Sequence, residues 1–160
     1  MKATALPSLE GVLAGNNGML SLIKQKLKLT STAELLLFSQ GMFLKSPGLG
    51  GSAASYVVDR LRAHNLTLRE DDEPIYKAVN RLFGSVMSAP IEVLNFTGVT
   101  TSRPHYKRLK PLEHIKDNEM NEIFLIEDLR ELRFSASVFD EVSDLKQIMD
   151  RLDEWGIDIE

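Results

Sequence analysis

Arg103, Lys107, Arg108, Lys110 and Lys116 form the densest cluster of positive charge in this 160-residue chain. Cations packed so closely are suited to neutralising phosphates, each contact releasing counterions condensed on a nucleic acid. A second polar set lies within 52–64. There Ala54, Val57, Val58 and Leu61 recur at i, i+3, i+4 and i+7, the spacing of one helical stripe. Ser52, Ser55, Tyr56 and Arg60 fall on the opposite face, and hydroxyl and guanidinium groups so placed can reach base edges in a major groove. This chemistry is binding, not bond-making. No catalytic residue is assigned, because the carboxylates of 117–160 are scattered and no Ser/His/Asp order or dinucleotide fingerprint occurs. No metal site is assigned either. His105 and His114 lack a third ligand in a helical relation, and the absence of cysteine excludes thiolate zinc sites and disulfides.

The elements that must position these groups follow from the apolar pattern. Ser31-Thr32-Ala33-Glu34 has the form of a capping box, and the run Leu35 to Leu44 behind it predicts a helix apolar nearly all round. A glycine loop, 46–51, separates it from helix 52–64, which Asn65 closes before Leu66-Thr67-Leu68 resumes in extended form. Helix, turn, polar-faced helix and strand is the order of a helix-turn-helix reader, although this loop exceeds the usual tight turn. The alternative is a pair of packed helices in an ordinary α+β domain.

A further helix is expected over 74–87, entered through Pro74 and ended before Pro90. Its stripe is Ile75, Val79, Leu82, Phe83 and Val86, and its outer face carries Tyr76, Lys77, Asn80 and Arg81. It rivals 52–64 as the reading helix. Ile91 to Phe96 reads as a strand, and His105 to Lys110 as a basic strand returning beside it, together a wing. The alternative is a solvated hairpin with charged edges. Near the start, Ser8 to Ala14 suits a short helix and Gly15 to Gly18 a turn. Ile23, Gln25, Leu27 and Leu29 then alternate with Lys24, Lys26 and Lys28, predicting a strand with a lysine face, while Leu20, Ile23 and Leu27 also fit a helix.

The stretch Pro47-Gly48-Leu49-Gly50-Gly51-Ser52-Ala53-Ala54 resembles the phosphate loop of GHMP-type small-molecule kinases. The resemblance implies backbone N–H groups and a helix N-terminus closing on a nucleotide phosphate. Gly51 stands where that family places a serine, and its further motifs are not found.

Charge divides the chain. Residues 1–116 carry 15 Lys/Arg against 9 Asp/Glu, and residues 117–160 carry 4 against 14. The expected organisation is a basic helix-rich body with a wing over 1–116 and an acidic segment over 117–160, together one structural domain. In the acidic segment Val142, Leu145, Met149, Leu152 and Trp155 form an amphipathic stripe suited to packing inward or to homodimer formation. The expected fold is α+β: a helical first half of helix-turn-helix or winged-helix type, a small antiparallel sheet and a C-terminal amphipathic helix. With no signal peptide and no apolar run near the ~20 residues of a membrane span, a cytoplasmic protein without membrane contact is expected. The leading functional expectation is a regulator that binds double-stranded DNA and needs no cofactor. The second is a non-catalytic inhibitor, immunity protein or adaptor that binds a protein partner through the acidic C-terminal face.

Overall fold

The computed structural model describes residues 6–29, 31–46, 48–114, 125–131 and 142–157. The fold is α+β, with seven α-helices and one two-stranded antiparallel sheet among these residues. The chain separates into two compact units, Ala5–Glu73 and, for the most part, Pro74–Glu160. The charge boundary at 116–117 lies outside the described residues.

In the first unit each short helix is started by a side chain. Ser8 Oγ accepts from Gly11 N (3.0 Å) at α1, Leu9–Val12, and Asn16 Oδ1 accepts from Met19 N (3.0 Å) at α2, Asn17–Leu27. The strand predicted over 23–29 is therefore a helix. Ile23 and Leu27, one turn apart, are buried, while Lys26 and Lys28 are exposed. Alternation and helical spacing both fit this stretch, and the asparagine cap ahead of it favours the helix.

Ser31 starts α3, Thr32–Leu37, by accepting from Glu34 N (3.4 Å), as the capping box predicts. The expected continuous helix to Leu44 breaks at Phe38. Ser39 restarts the chain as α4, Gln40–Lys45, its Oγ accepting from Met42 N (3.3 Å). Asp71 accepts from Gly41 N (3.0 Å), and a Cβ on residue 41 would lie 2.8 Å from that carboxylate. Helix α5, Gly51–Ala63, ends as expected, with Asn65 at φ 60° and Leu66 N donating to Leu61 O (2.8 Å).

Arg69 holds the break between α3 and α4. It is only 2% exposed. Its N–H faces Leu36 O and Phe38 O (3.0 and 3.1 Å), and Nε donates to Leu37 O (2.8 Å). Nη1 donates to Glu70 O and Glu73 O (3.1 and 2.6 Å), and Nη2 lies 3.2 Å from Met42 Sδ. Burial lowers the guanidinium pKa from its usual value, and Glu73 and Asp71 oppose that shift.

In the second unit α6, Ile75–Phe83, stops at Gly84 (φ 85°), short of the expected 87. Gly84 N donates to Asn80 O (2.8 Å), and the positive φ suits glycine. The strand predicted over Ile91–Phe96 is mostly a 3-10 helix, Ile91–Asn95, followed by β1, Phe96–Thr97. The basic strand is likewise only β2, His105–Tyr106, paired Phe96 to Tyr106 and Thr97 to His105. Two more 3-10 helices, Lys110–His114 and Ile126–Glu131, precede α7, Val142–Glu154, which Gly156 (φ 69°) closes.

Two predictions follow from the first unit's polar contacts. Arg69→Met keeps the backbone N–H that faces Leu36 O and Phe38 O but removes the donors to buried Leu37 O and to Glu70 O and Glu73 O, and should cost about 3 kcal/mol, read as a lower urea midpoint at unchanged slope. Asp71 is held below the usual carboxylate range by hydrogen bonds from Ser39 and from Gly41 N–H, the Ser39 bond being the larger cause. Its stabilising contribution is therefore fully present above the unfolded value near ~3.9 and lost as pH falls through the lower folded value. Urea midpoints between neutral pH and the acid limb should fall less steeply for Asp71→Asn than for the parent; parallel curves would remove Asp71 as a source of acid sensitivity.

Candidate nucleic-acid interface

The residues expected to bind phosphate are carried by a hairpin whose backbone is held from both sides. Asn95, 5% exposed, accepts from Lys107 N at its carbonyl and from Leu109 N at Oδ1, both at 2.8 Å. One buried amide side chain thus extends the pairing beyond the two-residue strands. From the other side, α7 presents Arg151, Glu154 and Trp155 at i, i+3 and i+4. Arg151 Nη1 donates to Leu94 O, and Trp155 Nε1 donates to Phe96 O (2.9 Å). Glu154 Oε1 accepts from Gly98 N (2.8 Å). Three contacts at alternate residues fix the first arm of the hairpin to the helix.

Side chains on the second arm follow the two-residue period. His105 and Lys107 are exposed, Tyr106 and Arg108 are half-buried, and Leu109 is buried. Tyr106 packs edge-on against Phe96 with ring centroids 5.0 Å apart. Of the predicted phosphate contacts, Arg103, Lys107 and Lys110 are exposed and Arg108 shares the inward parity of Tyr106. Lys116 lies outside the described residues.

The α5 set behaves differently. Ser52 and Ser55 are exposed, but Tyr56 and Arg60 are half-buried and already engaged. The Tyr56 hydroxyl lies 2.7 Å from Leu13 O and 3.1 Å from Ala14 O, and Arg60 Nε donates to Val12 O (3.0 Å). These are the carbonyls at and just beyond the end of α1, which a four-residue helix cannot satisfy itself. The arginine and tyrosine that read as groove contacts serve as a C-terminal cap.

The rival helix lies in the same unit as the hairpin. Tyr76 N, in the first turn of α6, donates to Val99 O (3.1 Å), tying that helix to the hairpin loop. Lys77, Asn80 and Arg81 on α6 are exposed. The loop itself turns at Gly98 (φ 69°), where an added Cβ would lie 2.9 Å from the Thr101 methyl group.

The C-terminal stripe is largely spent inside its unit. Leu152 is 1% and Trp155 8% exposed, and Ile148 beside them is fully buried. Met149 remains 37% exposed, while the side chains of Val142 and Leu145 lie outside the described residues. Among the described residues no helix is long and apolar enough to cross a membrane. Nor do any three or more of their metal-ligating side chains converge.

Comparison with family models, with characterised proteins and with solved structures returns no match. Sequence reasoning passed over Asn95, Arg151 and Glu154, which position the hairpin without belonging to its charged face. Asn95 carried one signal, a polar residue between apolar Leu94 and Phe96.

The glycine loop supplies a prediction of its own. Gly50 and Gly51 open α5 without a side-chain cap, and the Lys26 side chain lies across Gly48. ATP with magnesium should leave the melting temperature unchanged. A stabilisation approaching the ~2.7 kcal/mol of a ligand at 100-fold its Kd would restore the kinase reading.

Proposed function

We propose that this chain is a DNA-binding protein whose contact surface is α6 together with the basic hairpin, and not α5. The observation that carries the reading is the Tyr76–Val99 backbone bond, which ties a helix with exposed Lys77, Asn80 and Arg81 to a loop leading into exposed Arg103, Lys107 and Lys110. A polar helical face entering a groove, flanked by cations on a hairpin, divides the labour of duplex recognition. Asparagine can bond an adenine edge in two places, while lysine and arginine neutralise phosphates. Tyr56 and Arg60 enter this reading only as structural caps.

Fluorescence anisotropy with a labelled duplex pool tests it. Affinity should fall steeply with salt, and Lys107→Ala should weaken binding to all sequences and flatten the log–log salt slope by about one. Arg60→Ala should lower the unfolding midpoint and leave the affinity of the folded protein unchanged. Full-length protein that binds no duplex at low ionic strength would overturn the proposal, and so would a loss confined to the Arg60 variant.

A further inference from the structure

The second arm of the hairpin carries an outward row with a histidine at its centre. From Arg103 to Arg108 exposure alternates residue by residue. Arg103, His105 and Lys107 are exposed, while Pro104 is buried and Tyr106 and Arg108 are half-buried. His105 therefore stands between two cations on one face of the arm. Alternate residues of a strand lie roughly 6.8 Å apart. Successive phosphates of one strand of B-DNA lie roughly 6.5 to 7 Å apart, given a rise of ~3.4 Å per step and about ten steps per turn. The row matches the step of a sugar–phosphate backbone.

The imidazole is uncommitted within the fold. Among the described residues its ring enters no hydrogen bond, ion pair or ring contact. Thr97, its partner in the register, is uncharged and sets its hydroxyl 3.5 Å from His105 O. No acidic residue occurs between Glu92 and Glu113. Of the elements that bond to the hairpin, α7 brings Arg151 and Glu154, and α6 brings Tyr76 and Lys77 in its first turn. Glu154 is taken by Gly98 N and Arg151. An imidazole gains its charge as pH falls from about 8 to about 5. We propose that His105 is a third phosphate contact of this hairpin, seated between Arg103 and Lys107 along one DNA strand and engaged when its ring carries a proton. A phosphate beside the ring favours the charged form, so binding takes up a proton and affinity rises as pH falls. This contact rests on the DNA reading of the hairpin and supplies a pH dependence that arginine and lysine cannot.

The test measures duplex binding by the full-length chain, as fluorescence anisotropy over a range of salt, at about pH 5.5 and about pH 8. The parent's log–log slope should be steeper by about one at the lower pH, an affinity gain of roughly tenfold near ~0.1 M salt. H105Q should keep the shallower slope at both pH values and H105K the steeper one, each with the circular dichroism of the parent. A parent slope that ignores pH overturns the inference and leaves the DNA reading standing. A pH dependence that survives in H105Q assigns the proton to another group and overturns the inference as well. So does H105K with the slope of H105Q, which places residue 105 away from phosphate. Parent protein that binds no duplex at either pH overturns the DNA reading, and the inference falls with it.

Discussion

The buried guanidinium of Arg69 is the interaction on which the first unit depends. Leu36, Leu37 and Phe38 present three successive carbonyls at a point where the chain leaves one helix and has yet to enter the next. All three residues are 2% exposed or less, so water cannot take the place of hydrogen-bond partners. Arg69 answers all three, two with its backbone N–H and one with Nε, and then reaches Glu70 O and Glu73 O with Nη1. Lysine has neither the planar fork nor the number of donors to do this. Arg69, by backbone and side chain together, thus ties the helix break to the segment returning from α5 and to the acidic turn before Pro74.

The second unit solves the same problem with different residues. Its described strands are two residues long, too short for a ladder to absorb the backbone groups of the 94–98 segment. The three α7 side chains take Leu94 O, Phe96 O and Gly98 N instead, and the Asn95 amide takes Leu109 N on the second arm. Tyr56 and Arg60 do likewise for α1. Across the chain, polar side chains at the margins of apolar stripes complete the backbone's hydrogen bonds where regular structure is too brief to do so.

That habit explains what could be read in advance. Helices with caps and stripes were legible: Ser31 and Glu34, the reversal at Asn65, the α5 face and the closing Gly156 all stand where residue type and spacing predict. Strands were not. Ile91 to Phe96 carries β-branched Ile91 and Val93, yet no long strand stands among the described residues to pair with it, and it winds into a 3-10 turn until Tyr106 and His105 meet Phe96 and Thr97. Lys24, Lys26 and Lys28 alternate by accident of a helix whose buried positions are Ile23 and Leu27. Charge density singled out Arg103, Lys107 and Lys110, and all three are exposed. Arg60 and Tyr56 were misplaced because periodicity separates apolar from polar faces but does not say whether a polar residue at the boundary meets water or a carbonyl. Only tertiary contacts decide that.

One such contact bears on the electrostatics of the proposed DNA surface. Glu154 sits at the turn of the hairpin, where a carboxylate would oppose an approaching phosphate. Its Oε1 accepts from Gly98 N at 2.8 Å and its Oε2 lies 3.5 Å from Arg151 Nε. Arg151 is 8% exposed, and burial lowers its pKa from the usual value while Glu154 opposes the shift. Buried guanidinium and nearby carboxylate largely cancel at a distance, whereas exposed Arg103, Lys107 and Lys110 have no such screen in the α7 contacts. The anion that fixes the hairpin turn is thus paired with the cation that fixes its first arm, while Arg103, Lys107 and Lys110 stand exposed.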